Sequence, residues 1–168
     1  MNKSLKGLVF KPKASPKFSK AEKAIAFYIS QLCPDCVENA RPAELQGLEL
    51  DIWVPSIRLG IEYDGVLYHK DVSRDLEKDI LCNKANIKLI RFRESGLPIY
   101  ENIILDMIKT NGLADLDRFN SDIKWCINVI CANFNIENTV DVNLKRDFEK
   151  IKSKYTKSKM DSLGIRRC

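Results

Sequence analysis

The chain has 168 residues, 45% hydrophobic and 30% charged, which is enough for one domain with a real core and unlike a disordered or fibrous protein. No apolar run approaches the roughly 20 residues that cross a bilayer, and Met1-Asn2-Lys3-Ser4-Leu5-Lys6 lacks the apolar stretch of a secretory signal. These features exclude a membrane partner and lead us to expect the cytosol, or the nucleoid and host cytosol for a phage-encoded protein. The net charge of +5 is unevenly divided: residues 1–20 carry six lysines and no acid, and residues 143–168 carry nine Lys/Arg against three acids. Residues 21–142 are therefore net −7, an acidic middle suited to holding cations between basic ends suited to a phosphate backbone.

Six scattered cysteines in a chain of this size read as reduced thiols rather than a disulfide framework. Cys33-Pro34-Asp35-Cys36 has the spacing of half a zinc site, but no second Cys/His pair follows and His69 is the only histidine.

In chain order, residues 1–18 read as a lysine-rich arm. Ser19-Lys20-Ala21-Glu22 matches a capping box, and Ala21, Ala24, Ile25, Tyr28, Ile29 and Leu32 recur at helical spacing until Pro34. Two strands follow over 48–54 and 57–64, joined tightly at Pro55-Ser56. A second helix is expected from Arg74 to Asn86, capped by Ser73, with Leu76, Ile80 and Leu81 inward. Ile87–Arg93 reads as a strand. Pro98 suits the start of a helix over 98–110, and two more helices are expected over 117–134 and 143–160. The expected class is α/β: an arm (1–18), a core of helix, antiparallel hairpin, helix and strand (19–112), and a helical basic section (113–168) packed on the same domain.

Strand alternation puts Leu48, Leu50, Ile52 and Val54 on one face and Glu49, Asp51 and Trp53 on the other. In the second strand Ile57, Leu59, Ile61 and Tyr63 oppose Arg58, Gly60, Glu62 and Asp64. A tight turn sets Val54 against Ile57, Asp51 against Gly60 and Glu49 against Glu62, so four carboxylates share one patch with Asp51 and Glu62 diagonal at roughly 7 Å. Like charges across strands destabilise, so a neutralising ion is expected, and hard oxygen donors of this kind suit Mg²⁺ or Mn²⁺. Gly60, opposite Asp51, would leave room for the ion or a DNA strand. The competing reading is an acidic edge hairpin that discourages aggregation.

Leu50-Asp51-Ile52-Trp53-Val54-Pro55, Leu59–Gly65 with Tyr68-His69, Arg74–Asp79 and Ile87–Glu94 resemble the core of the PD-(D/E)XK, restriction-endonuclease-like nucleases. The resemblance is closest to the branch of the very-short-patch repair endonuclease and the phage homing endonucleases named for an EDxHD pattern, and it covers about residues 19–98. It implies a restriction-endonuclease-like core and a Mg²⁺-dependent endodeoxyribonuclease that hydrolyses phosphodiesters in DNA. By the same resemblance Asp51 and Glu62 are metal ligands and Glu22 is the helix glutamate of the site; the capping box explains Glu22 equally well. Where the family pattern has lysine, this chain has Asp64, a form that recurs in that branch beside a histidine. Asp64 is then a third ligand.

His69 is placed to orient water or protonate the leaving oxygen, or else simply packs beside Tyr68. Lys78 is placed to stand in for the missing lysine and steady the scissile phosphate, or else is a solvated helix lysine. Arg91, Arg93, Arg74, Lys13, Lys17 and Lys20 are candidate DNA contacts, although strand arginines also pair with acids of their own sheet. Trp53 packs under the site or stacks on a base. The alternatives to a nuclease are an inactive nuclease-like DNA-binding module, a subunit of a larger nuclease or transposition complex, and a docking domain for a basic protein. A homodimer is compatible with each.

Overall fold

A computed structural model describes residues 19–65, 73–97, 107–110 and 116–162. The fold is a mixed α/β sheet with helices on both faces. Helix α1 (Lys20–Leu32) opens with the expected capping box: Glu22 N–H donates to Ser19 Oγ at 3.0 Å and Ser19 N–H to Glu22 Oε2 at 3.3 Å. Strands β1 (Val37–Ala40), β2 (Leu50–Val54), β3 (Leu59–Asp64), β4 (Lys88–Glu94) and β5 (Met107–Thr110) pair in chain order. The first three are antiparallel and β3, β4 and β5 are parallel. Helix α2 (Ser73–Lys84) makes the β3-to-β4 crossover, and α3 (Leu116–Phe134) and α4 (Leu144–Ser162) follow the sheet.

One apolar cluster joins Ile52, Val54, Leu59, Ile61, Tyr63, Ile90 and Phe92 to α1 (Ala24, Ile25, Tyr28) and α3 (Ile123, Cys126, Ile127, Ile130). The C-terminal helices therefore share the core of the sheet. On the other face a smaller cluster holds Leu45, Leu50, Trp53, Leu89 and Cys82 of α2. Beside it on that face lie buried charges rather than apolar side chains.

Several expectations are corrected. The hairpin turn is a 3-10 turn at Pro55–Ile57 ending on left-handed Arg58 (φ 49°), so the strands pair with Trp53 opposite Gly60 and Val54 opposite Leu59. That is two residues away from the tight-turn register; a shift of two preserves which face each residue occupies. Leu50 joins Trp53 on the α2 side, beside a bend in β1 at Asn39 (φ 50°). Gly60 serves packing rather than an ion, because a Cβ there would meet Leu89 and Leu50 at 3.1 and 3.2 Å. Strand β1 was not expected. Met107–Thr110, assigned above to the end of a helix, pairs instead beside β4, where the hydrogen-bonding edge of a parallel strand outweighs local helical periodicity. Helix α2 turns its acids inward: Asp75 and Asp79 are buried, while Leu76 and Ile80 are 40% and 49% exposed. The arm 1–18 and the start of the 98–110 segment lie outside the described residues.

Candidate functional site

The β2–β3 register extends to set Asp51 directly opposite Glu62, and at this point side chains take over from the backbone ladder. Asp51 N–H donates to Glu62 Oε1 at 3.2 Å, and Tyr63 N–H donates to Asp51 Oδ2 at 2.9 Å. Each strand is thus satisfied by the other's carboxylate, and the two acids are held at the mouth of the hairpin. From α2, Lys78 Nζ donates to Glu62 Oε2 at 2.5 Å. From α1, Glu22 approaches closely enough for its charge to be felt by both acids.

Electrostatics mark this group. Burial, then the charges of Glu62 and Glu22, push the Asp51 carboxyl well above the usual carboxylate range, against the Tyr63 N–H and Lys78. Burial also raises Glu22, against its hydrogen bonds with Ser19, and Glu62 adds to the rise. Asp51 Oδ1 and Glu22 Oε1 accept no hydrogen bond among the described residues. Among the described residues, three carboxylates, Glu22, Asp51 and Glu62, crowd together in a poorly solvated space, with Lys78 on Glu62 and Lys23 near Glu22. Such an arrangement favours a cation.

No family model, curated protein or solved structure matches this chain.

The parallel register pairs Glu62 with Arg91 and Asp64 with Arg93. Asp64 leaves the expected ligand set: it accepts from Arg91 Nη1 at 3.1 and 3.2 Å and from Arg93 Nε at 2.7 Å, and is fully buried. Arg93 Nη2 continues to Asp75 at 2.8 Å and Arg91 Nη2 to Asp79 at 2.6 Å. Both arginines are about 2% exposed or less, so the expectation that they touch DNA is corrected: they are spent inside the sheet, and a phosphate cannot reach them. Arg91 also lies 3.7 Å from Glu62 Oε2. Burial works against its charge, but Asp64, Glu62 and Asp79 more than offset this and raise its pKa.

Asp75 and Asp79 are functional candidates missed in the sequence. Their signal was an i, i+4 acid pair on the helix that precedes a strand with alternating arginines. Of the other expected residues, Lys20 and Arg74 are exposed at the starts of α1 and α2. Glu49 pairs with Arg41 at 3.0 Å, apart from Asp51. Trp53 packs in the α2-side cluster with the Arg58 guanidinium 5.9 Å from its ring. His69, Tyr68, Lys13 and Lys17 lie outside the described residues.

Among the described residues no group of three or more His, Cys, Asp or Glu side chains forms a ready metal cage. The donor set still fits Mg²⁺, which takes one or two carboxylates, keeps several waters and completes its shell with substrate phosphate. The open oxygens of Asp51 and Glu22 are donors of that kind. Cys33 is a core residue, and burial pushes the Cys36 thiol up to about 12. Among the described residues no helix is long and apolar enough to cross a membrane.

Proposed function

We propose that this chain is a metal-dependent endonuclease of the restriction-endonuclease-like, PD-(D/E)XK kind that hydrolyses phosphodiester bonds in DNA and acts in the cytosol. The observation that carries the reading is the convergence of Asp51, Glu62 and Glu22 from three elements, with the Lys78 ammonium on Glu62. Asp51, through its open oxygen, and Glu62, through the lone pairs that the Asp51 N–H and Lys78 leave free, would hold Mg²⁺ or Mn²⁺, with Glu22 as a further carboxylate. When bound, such an ion lowers the pKa of a coordinated water and offsets charge on the phosphoryl oxygens.

The protein's own contributions follow from its geometry. The Tyr63 and Asp51 N–H groups orient the two carboxylates, and their shared burial makes an approaching cation favourable. Lys78 supplies the ammonium that the family pattern places two residues after Glu62, and it can steady the scissile phosphate. Asp64, at that sequence position, serves the arginines instead. His69 is assigned the movement of a proton at the attacking water or the leaving oxygen. Lys20 and Arg74 are assigned phosphate contacts, with the basic ends of the chain.

A second reading is a catalytically inactive nuclease-like DNA-binding module. It is favoured by the loss of the in-strand lysine to Asp64. The test is cleavage of supercoiled plasmid and of single-stranded DNA with Mg²⁺, Mn²⁺, Ca²⁺ or EDTA, for the wild type, Asp51→Asn and Glu62→Gln. Cleavage that needs Mg²⁺ or Mn²⁺ and falls by more than the ~10–100-fold typical of losing an outer partner of a ligand establishes the nuclease. DNA binding without cleavage, unchanged in both variants, establishes the binding module.

A further inference from the structure

Helix α2 lies on the sheet in an orientation that its own apolar pattern opposes. Leu76 and Ile80 are 40% and 49% exposed, while Asp75 and Asp79, each one residue earlier, are buried. Successive residues on a helix differ by about 100° around its axis, so a turn of that size would bury the two apolar side chains and carry Lys78 away from Glu62. Two ion pairs hold the helix against this rotation. Asp75 takes Arg93 at 2.8 Å and Asp79 takes Arg91 at 2.6 Å. The spacings match: four helical residues rise about 6 Å, and two strand residues advance about 6.6 Å. Because Glu62 is the partner of Arg91 across β3 and β4, and Lys78 precedes Asp79, clamping Asp79 on Arg91 delivers the Lys78 ammonium to Glu62.

We propose that Asp79 and Arg91 are positioning residues that set the angle of α2 and thereby hold Lys78 on Glu62. The proposal rests on the nuclease reading for its consequence but not for its geometry. Asp79 acts through Lys78; it touches neither ion nor substrate.

The experiment is a double-mutant cycle of Asp79→Asn and Lys78→Met on the full chain, with two readouts. The first is the NMR signal of the Lys78 ammonium without metal or DNA, which persists only while the ammonium is held and protected from exchange. The second is kcat and KM for plasmid cleavage. The expected result is loss of the Lys78 signal in Asp79→Asn, a fall in kcat of about 10–100-fold with little change in KM, and a further effect under about 2-fold once Lys78 is already Met. An unchanged Lys78 signal, or a full additional loss in the Lys78→Met background, overturns the proposal. If the wild type cuts no DNA, the nuclease reading fails while the ammonium signal still decides the positioning role. If circular dichroism finds Asp79→Asn unfolded, Arg91→Lys replaces it with the same readouts, because a lysine keeps the charge but cannot bridge Asp64 and Asp79 together.

Discussion

Asp51 concentrates the cost of the site in one carboxyl group. Its folded pKa lies above its unfolded value, so its charge opposes folding at every pH above the ordinary carboxylate range, and the opposition fades as pH falls through the raised value. Asp51→Asn keeps an oxygen for the Tyr63 N–H and removes the charge facing Glu62 and Glu22. In EDTA we expect that variant to melt higher than the wild type at neutral pH, by calorimetry, and the gap to close as pH is lowered. A bound divalent ion should reverse the order, because it stabilises only the form with the intact carboxylate. A neutral-pH melting temperature for Asp51→Asn below that of the wild type in EDTA would contradict this account.

Helix α2 shows how an element can take an orientation that periodicity argues against. Its inward face is Asp75, Lys78, Asp79 and Cys82; Cys82 joins the apolar cluster, but the two aspartates meet charge on the sheet, Arg93 and Arg91. Breaking the buried pairs that Arg93 makes with Asp64 and Asp75 costs far more than exposing two aliphatic side chains. Arg93→Met should therefore lower stability by about 3–5 kcal/mol in urea unfolding, the range for breaking a buried pair from one side. Leu76→Ser, on the exposed side, should stay within about 0.5 kcal/mol. The reverse ranking would mean that α2 sits on the sheet through Leu76. The hairpin teaches the same lesson in smaller form. A 3-10 turn ending on left-handed Arg58, whose side chain donates to the carbonyls of Ala85 and Asn86, sets the register that brings Asp51 opposite Glu62.

At the scale of the molecule, another buried carboxylate, Asp147, ties the C-terminal helix to the first. Tyr28 of α1 donates to Asp147 Oδ2 at 3.0 Å and accepts from Asn143 N–H at 3.1 Å. Arg146, against the cost of burial, and Tyr28 bring the Asp147 carboxyl down to about 2. Its folded pKa is below the unfolded value, so its contribution is present above the ordinary aspartate pKa and is lost as pH falls from there towards 2. Asp147→Asn should flatten that acid limb in a pH series of urea midpoints, and Tyr28→Phe should cost about 1–2 kcal/mol at neutral pH. An unchanged acid limb in Asp147→Asn would remove Asp147 from the link between α1 and α4.

How far the sequence could be read follows from the range of the forces concerned. Capping at Ser19 and Glu22, the α1 and α3 stripes and the alternation of β2, β3 and β4 are local, governed by neighbours within about four residues, and they could be read directly. So could Asp51 and Glu62 as acids on the same face of one hairpin, though as diagonal rather than facing neighbours, and Lys78 as a helix ammonium close behind them in the chain. By itself, then, the sequence determined an α/β chain with an acidic middle, basic ends and a two-strand carboxylate pair, because each rests on composition or on a period of 2 or 3.6. Only the tertiary structure decided that Asp64 belongs to Arg91 and Arg93, that α2 buries Asp75 and Asp79 instead of Leu76 and Ile80, that 107–110 is a strand, and that Glu22 reaches Asp51 and Glu62. The reason is physical: a buried charge takes the orientation that supplies its counter-charge, and here that counter-charge comes from residues 12 to 29 positions away, beyond the reach of any local pattern.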